Sequence, residues 1–483
     1  MTKAIAANPE RYLDRLDDFK TLQPTYVRAA LQGFREATRN QSTLAWRPLL
    51  ALAEWICEQP LDVAAETNEG YWDAPDSGWH PTRFAIIDIL EDALQKDLLP
   101  FPEQKTAWQL IDTLANDETE CLDYRDEASQ EKDVWTYSLN TLRPRAVRVA
   151  LNYIEWLNKH LKEEGSSVQA VAEIAQFLDQ HLDPDVERSL SVRLIYGEML
   201  PFLCAVMSDW VAGAVDRIFP DQPDQQTLRD VAWGAYLAAN QAYIDVYRLI
   251  ERQYRGAIQI GDDTRKQGKS HLLERPSSML SHHLVQLYWW GKLDLSQGSV
   301  LSEFLATASD SALISMFIYV GRSLSEAQEP VADEVIARLE VLWDYILASE
   351  NALKSGKVFA NFGWWVNTSY FDDAWILDRL YASLVLAEGG FEPVLEALSR
   401  LSRLAETYPK LVLDCTRMIV LAQREYLDLW TVDLNNILRT ILGLGDVELS
   451  AEAMGLINEL GSRGHLTYRA LLKPSGASHE SPS

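Results

Sequence analysis

Residues 145–161 read RAVRVALNYIEWLNKHL. Val147, Ala150, Leu151, Ile154, Leu157 and Leu161 recur at three- and four-residue steps, while Arg145, Arg148, Asn152, Glu155 and Lys159 fill the spaces between them. An α-helix turns once every ~3.6 residues, so this spacing gathers the apolar side chains on one face and predicts an amphipathic helix. The template returns over 332–346, where Val335, Ile336, Leu339, Leu342, Trp343 and Ile346 form the stripe and Glu334, Arg338 and Asp344 lie outside it. Proline near a first turn marks further helix starts at Pro48, Pro144, Pro330, Pro393 and Pro409. Alternating β-branched runs bounded by hairpin dipeptides are missing, so the pattern predicts an all-α chain.

From about Phe371 onward the periodicity predicts consecutive helices over 373–387, 393–406, 409–424, 434–442 and 451–460. Each is apolar on one broad face that it cannot bury alone. Such a series fits an irregular α-solenoid, a HEAT-like helical repeat array whose neighbours cover one another. No tetratricopeptide or ankyrin consensus occurs. Polar connections at 162–168 (KEEGSSV), 219–226 (FPDQPDQQ) and 261–270 (GDDTRKQGKS) supply candidate boundaries. The expected organisation is an N-terminal helical region 1–165, a middle helical region 166–270 and a C-terminal helical-repeat region 271–473, followed by a disordered tail, 474–483 (PSGASHESPS).

Hydrophobic residues make up 47% of the 483 and charged residues 24%, a composition that folds around a large core. The 71 Asp and Glu exceed the 44 Lys and Arg by 27, and that sign opposes a protein whose affinity would come from neutralising phosphates. Cys57, Cys121, Cys204 and Cys415 show no CxxC spacing, so they read as reduced, mostly buried thiols of a cytoplasmic protein. The N-terminus lacks the apolar core of a signal peptide. The most apolar stretch, 194–215, contains Glu198, Pro201 and Asp209, which argues for a buried helix or a bent helix pair instead of a membrane span.

Motifs with chemical content fail on spacing or context. Gly268-Lys269-Ser270 ends like a phosphate loop, but the first glycine should stand at 263, where the chain has Asp263, and Gly261 is two residues too early. An aspartate in a phosphate nest would also repel its ligand. ATP with magnesium is therefore expected to leave the melting temperature unchanged, whereas a ligand present at ~100 times its dissociation constant would stabilise by ~2.7 kcal/mol. A reproducible rise lost in Lys269→Ala would overturn that reading.

His282 and His283, with His271 upstream, are the only histidine cluster, and adjacent helical residues point ~100° apart, so they do not share a metal easily. One of them is expected to cap a helix or to be partly exposed. The acidic run within 112–133 lacks the calcium-loop pattern and reads as a solvated loop or helix face. Asp372-Asp373 has no flanking acid–base partner, and no GxSxG or dinucleotide fingerprint occurs. No catalytic, cofactor or metal residue is expected.

Aromatic clusters are the distinctive feature: Tyr288-Trp289-Trp290, then Phe362-Gly363-Trp364-Trp365 followed by Tyr370-Phe371 and Trp375. Such clusters either serve the core alone, which is the commoner use of large aromatics, or, in an adjacent Trp pair, set one ring in the core and leave the other to pack a neighbour or a partner. Trp290 and Trp365 are the candidate protein-contact residues. At least one of Trp364 and Trp365 is expected to be buried, with Asn367-Thr368-Ser369 a connection capping the helix that begins near Asp372 or Asp373.

The segments AANPERYLDRLDDFKTLQPTYVRAALQGFREA (6–37), WRPLLALAEWI (46–56), HHLVQLYWWGKLDL (282–295), FGWWVNTSYFDDAWILDRL (362–380) and GSRGHLTYRALL (461–472) carry a resemblance. They look like helical regions in the C-terminal halves of large bacterial proteins, some of which resemble STAND-type NTPases of antiphage defence. The resemblance implies a helical-repeat sensor or scaffold that is joined, in longer relatives, to a nucleotide-binding and effector part. The present chain starts at Met1 and has no P-loop or nuclease motif, so any switch is expected from another polypeptide.

The sequence thus reads as a non-catalytic, protein-binding helical-repeat scaffold or sensor, whose partner has a basic or mixed surface and is neither nucleic acid nor membrane. The alternatives are an enzyme whose site is assembled from sequence-distant residues, and a structural subunit of a larger complex.

Overall fold

A computed structural model describes residues 1–42, 44–61, 78–117, 121–163, 165–260, 276–348, 355–422 and 430–472. The described residues are helical throughout, with no strand; their sole β pairing is an isolated antiparallel bridge between Asp123 and Ser189. The chain divides into two units. Of the described residues, the first holds those within 1–240 and 245–250, and the second holds those within 241–244, 251–260 and 276–472. The expected boundary at 165/166 therefore falls inside the first unit. The expected connection 261–270 and the tail 474–483 lie outside the described residues.

In the first unit, the 145–161 pattern lies within Leu142–Glu163, a helix of 22 residues. It packs against His80–Gln95, Gln104–Ala115, Val134–Asn140 and Leu190–Glu198, so its apolar face is shared among several neighbours. Pro24–Arg39 lies on His80–Gln95 and on Thr2–Ala7. Above this apolar contact, Arg35 and Arg145 both reach Asp88, with Arg35 also 2.7 Å from Asp92 and Arg145 also 2.8 Å from Glu91. These half-buried pairs fix the mutual rotation of three helices while hydrophobic burial supplies the stability.

The apolar stretch 194–215 resolves into three helices, Leu190–Glu198, Leu200–Val206 and Ser208–Ile218, broken at Met199 and Met207. Among the described residues, no helix is long and apolar enough to cross a membrane. Leu190–Glu198 is buried nearly all round because it approaches Gln226–Ala239 backbone to backbone at Gly197.

The second unit is built as a ladder of second neighbours. Pro276–Trp289 packs on Asp310–Ser325, which packs on Gly356–Ala360 and Gly363–Val366. Gly356–Ala360 meets Asp373–Leu386, which meets Pro409–Ala422, which meets Val447–Ser462; Val394–Leu404 meets Thr431–Gly443 in parallel. These helices coincide closely with those expected from 371 onward. Outward-facing charges add rungs, with Lys410 2.6 Å from Glu452 and Arg417 3.3 Å from Glu459.

Candidate functional site

Two helices of the second unit place a run of rings at the surface. Tyr319 of Asp310–Ser325 stacks on His282 of Pro276–Trp289 with centroids 4.4 Å apart and planes 18° apart. On its other side it stacks on Trp289 at 5.8 Å and 19°, and Trp289 meets Trp290 edge-on at 6.3 Å. His282, Tyr319 and Trp289 are half-buried, whereas Trp290 is 42% exposed. Spacing explains the alignment: 282 and 289 lie two helical turns apart, and 319 comes from the paired helix between them.

The ladder rests on a buried polar layer. His283, whose ring turns inward, places Nδ1 2.8 Å from the Tyr254 hydroxyl in a buried hydrogen bond. Gln286 accepts the Ala242 backbone N–H at 2.8 Å and donates to the Tyr319 hydroxyl. Neither histidine caps the helix; both sit within it, and of the two expected alternatives it is partial exposure that holds, with His282 turned outward and His283 inward. Among the described residues, no group of three or more His, Cys, Asp or Glu is arranged to hold a metal.

His282 Nε2 lies 2.9 Å from Ser315 Oγ, the distance of a nucleophile–base pair, but it also lies 3.2 Å from the Ser315 carbonyl oxygen. A ring nitrogen that donates to a carbonyl holds a proton and has no lone pair for the serine. Burial holds the His282 pKa below the ordinary histidine value, opposed by that carbonyl contact. Ser315 sits in mid-helix, where backbone N–H groups are consumed by the helix and cannot form an oxyanion hole. The pair is a packing contact.

The second aromatic cluster divides cleanly between core and surface. Trp365 is fully buried, donating its indole N–H to the Phe317 carbonyl at 3.2 Å and stacking on Phe371 at 5.5 Å and 5°. It is therefore a core residue and not the expected contact residue. Its neighbour Trp364 is the half-buried ring, with the Arg322 guanidinium 5.2 Å from its centroid. Gly321 admits this arrangement, since a Cβ there would lie 2.6 Å from Trp364 Cβ. The helix Asp373–Leu386 is capped by Asp372, which accepts from Ala374 N and Trp375 N, instead of by Asn367-Thr368-Ser369. Arg400 closes the segment from behind, donating to the carbonyls of Val366, Thr368 and Phe371 and to the Asp373 carboxylate.

The first unit contains a polar chain that sequence reasoning missed. Arg83 is 2.5 Å from the buried Asp117, whose carbonyl receives Arg143. Arg143 lies 3.3 Å from Glu187, which also contacts His181 Nδ1 at 3.1 Å and accepts from Ser189 N at 2.9 Å. The acidic run is thus not merely solvated: Asp117 anchors this chain, and Asp126 and Asp133 are helix N-caps.

Burial by itself would raise the Glu187 pKa, but His181, Arg143 and the Ser189 N–H outweigh it and leave the carboxyl below the ordinary value of 4.5. A depressed folded-state pKa contributes stability above the unfolded value and loses it as pH falls through the folded one. Glu187→Gln is therefore expected to destabilise the protein at neutral pH and to flatten the acid limb below about pH 4.5. Urea titrations across that limb check this, and parallel curves for the two proteins would refute it.

Burial pushes the Cys57 and Cys204 thiols up to about 11, and raises Cys121 and Cys415 as well. None is activated as a thiolate. Comparisons of the chain with models of protein families, with curated proteins and with solved structures find no match.

Proposed function

We propose that the chain is a non-catalytic helical-repeat module that binds a protein partner through the aromatic ladder of its second unit. The observation that carries this reading is the alignment of His282, Tyr319, Trp289 and Trp290 as adjoining, partly exposed rings across two packed helices. Large rings held rigid by a satisfied polar layer lose little entropy on binding and desolvate well, which is why they serve as interface anchors. The second-neighbour ladder of helices supports a solenoid of HEAT-like character, an architecture that stacks a core in one direction and leaves a long face free. The excess of 27 acidic residues favours a partner with a basic or mixed surface over a nucleic acid. The resemblance to helical regions of bacterial antiphage proteins is the support for a sensor or scaffold role in defence.

The test is photo-crosslinking in the native host with benzoylphenylalanine at position 290 and, as control, at the exposed position Val432. Protein adducts specific to 290, and weakened by Tyr319→Ala, are expected. Nucleic-acid adducts, or the same adducts at both positions, would overturn the reading.

A further inference from the structure

We propose that a groove in the first unit, between Gln104–Ala115, Leu142–Glu163 and Ala172–Gln180, docks a partner polypeptide segment bearing lysine or arginine beside apolar side chains. The groove is a cavity of about 590 Å³, within the range of pockets that bind specific ligands. Its floor is aromatic. Trp108 is half-buried and packs on the buried rings of Tyr153 at 5.0 Å and Phe177 at 5.1 Å, with Leu157 and Ile174 extending the apolar surface. Its edge carries Gln109, Gln176 and Gln180, whose amides can both donate to and accept from a peptide backbone.

Charge selects the occupant. Asp112 and Glu173 line the groove against Lys105 alone. Glu173 is exposed and makes no hydrogen bond or ion pair among the described residues, yet its charge is felt at Tyr153, where burial and Glu173 together hold the phenol above the ordinary tyrosine pKa. A second cleft of about 570 Å³ shares Gln176 and Gln180 with the first and adds Asp179, Asp183 and Arg217. Arg217 is already 2.6 Å from Asp179. The continuous surface therefore offers four acids against two bases, beside an aromatic floor. An alkylammonium or guanidinium group gains there from both the carboxylates and the ring faces, whereas an anionic segment is repelled. Two adjoining clefts suit successive side chains of an extended segment better than one compact molecule.

The groove owes nothing to the aromatic ladder, and the two are separable by experiment. Random dodecapeptides displayed on phage are selected on the full-length protein, and the selected sequences are synthesised and measured by fluorescence polarisation. The expected winners carry lysine or arginine next to aliphatic or aromatic residues and bind less well as salt is raised. Glu173→Lys, at an exposed position that should leave the melting temperature unchanged, is expected to weaken them about tenfold, while Trp290→Ala leaves them unaffected. Recovery of no peptide, of acidic peptides, or of peptides indifferent to Glu173→Lys would overturn the groove assignment. Peptides lost only in Trp290→Ala would overturn it too, while upholding the aromatic surface.

Discussion

Trp365→Ala is expected to lower stability by about 3–5 kcal/mol, against about 1 kcal/mol for Trp364→Ala. The neighbours differ in surroundings, not chemistry. Trp365 is fully buried among Phe371, Trp343 at 5.4 Å and Phe317 at 6.1 Å, so truncation leaves a cavity and removes the donor to the Phe317 carbonyl. Trp364 keeps part of its ring in water and loses mainly its contact with Arg322. Guanidinium denaturation of the two variants side by side measures the gap. Equal midpoints would show that the segment does not divide into a buried and an exposed indole.

Gly197→Ala is expected to cost about 3 kcal/mol, near the upper end of ordinary overpacking. A Cβ at this position would stand 1.9 Å from the Ala232 carbonyl oxygen and 2.6 Å from its carbonyl carbon. The obstacle is main chain, so no rotamer change relieves it, and Leu190–Glu198 cannot retreat without opening the layer formed by Leu194, Ile195 and Tyr196. Gly213→Ala provides the control. Gly213 is exposed within Ser208–Ile218 and has open space around it, so alanine there should be neutral or stabilise by up to about 1 kcal/mol. Thermal melts in which both variants match the parent would remove the close approach from the account of the first unit.

The helices were legible because their signal is local. The expected 409–424 is observed as Pro409–Ala422, and the expected 434–442 as Thr431–Gly443, since one apolar face per helix records itself in consecutive residues. The exposure of Trp290 also follows from its place beside a second tryptophan at the end of a helix. What was not legible depends on elements far apart in the chain. Trp364 and Trp365 sit side by side in the four-residue helix Gly363–Val366, and which indole turns inward is decided by Phe317, Gly321 and Arg400. His282 joins an aromatic ladder only because Tyr319 arrives from another helix. Asp117 looked solvated within an acidic run, and only the convergence of Arg83 and Arg143 shows it to be buried.

Arg400 has a consequence for how the chain is made. The carbonyls of Val366, Thr368 and Phe371 receive the Arg400 guanidinium from Val394–Leu404, some thirty residues further on. While the polypeptide is emerging from the ribosome, the tryptophan-rich turn therefore exists for a time without the side chain that closes it. A donor-poor backbone beside several large rings is the kind of surface that chaperones shield and that associates wrongly when crowded. A chain truncated between Trp375 and Arg400 would keep every aromatic residue of the turn and still lack the side chain that organises them, so such fragments are expected to aggregate more readily than the full-length protein.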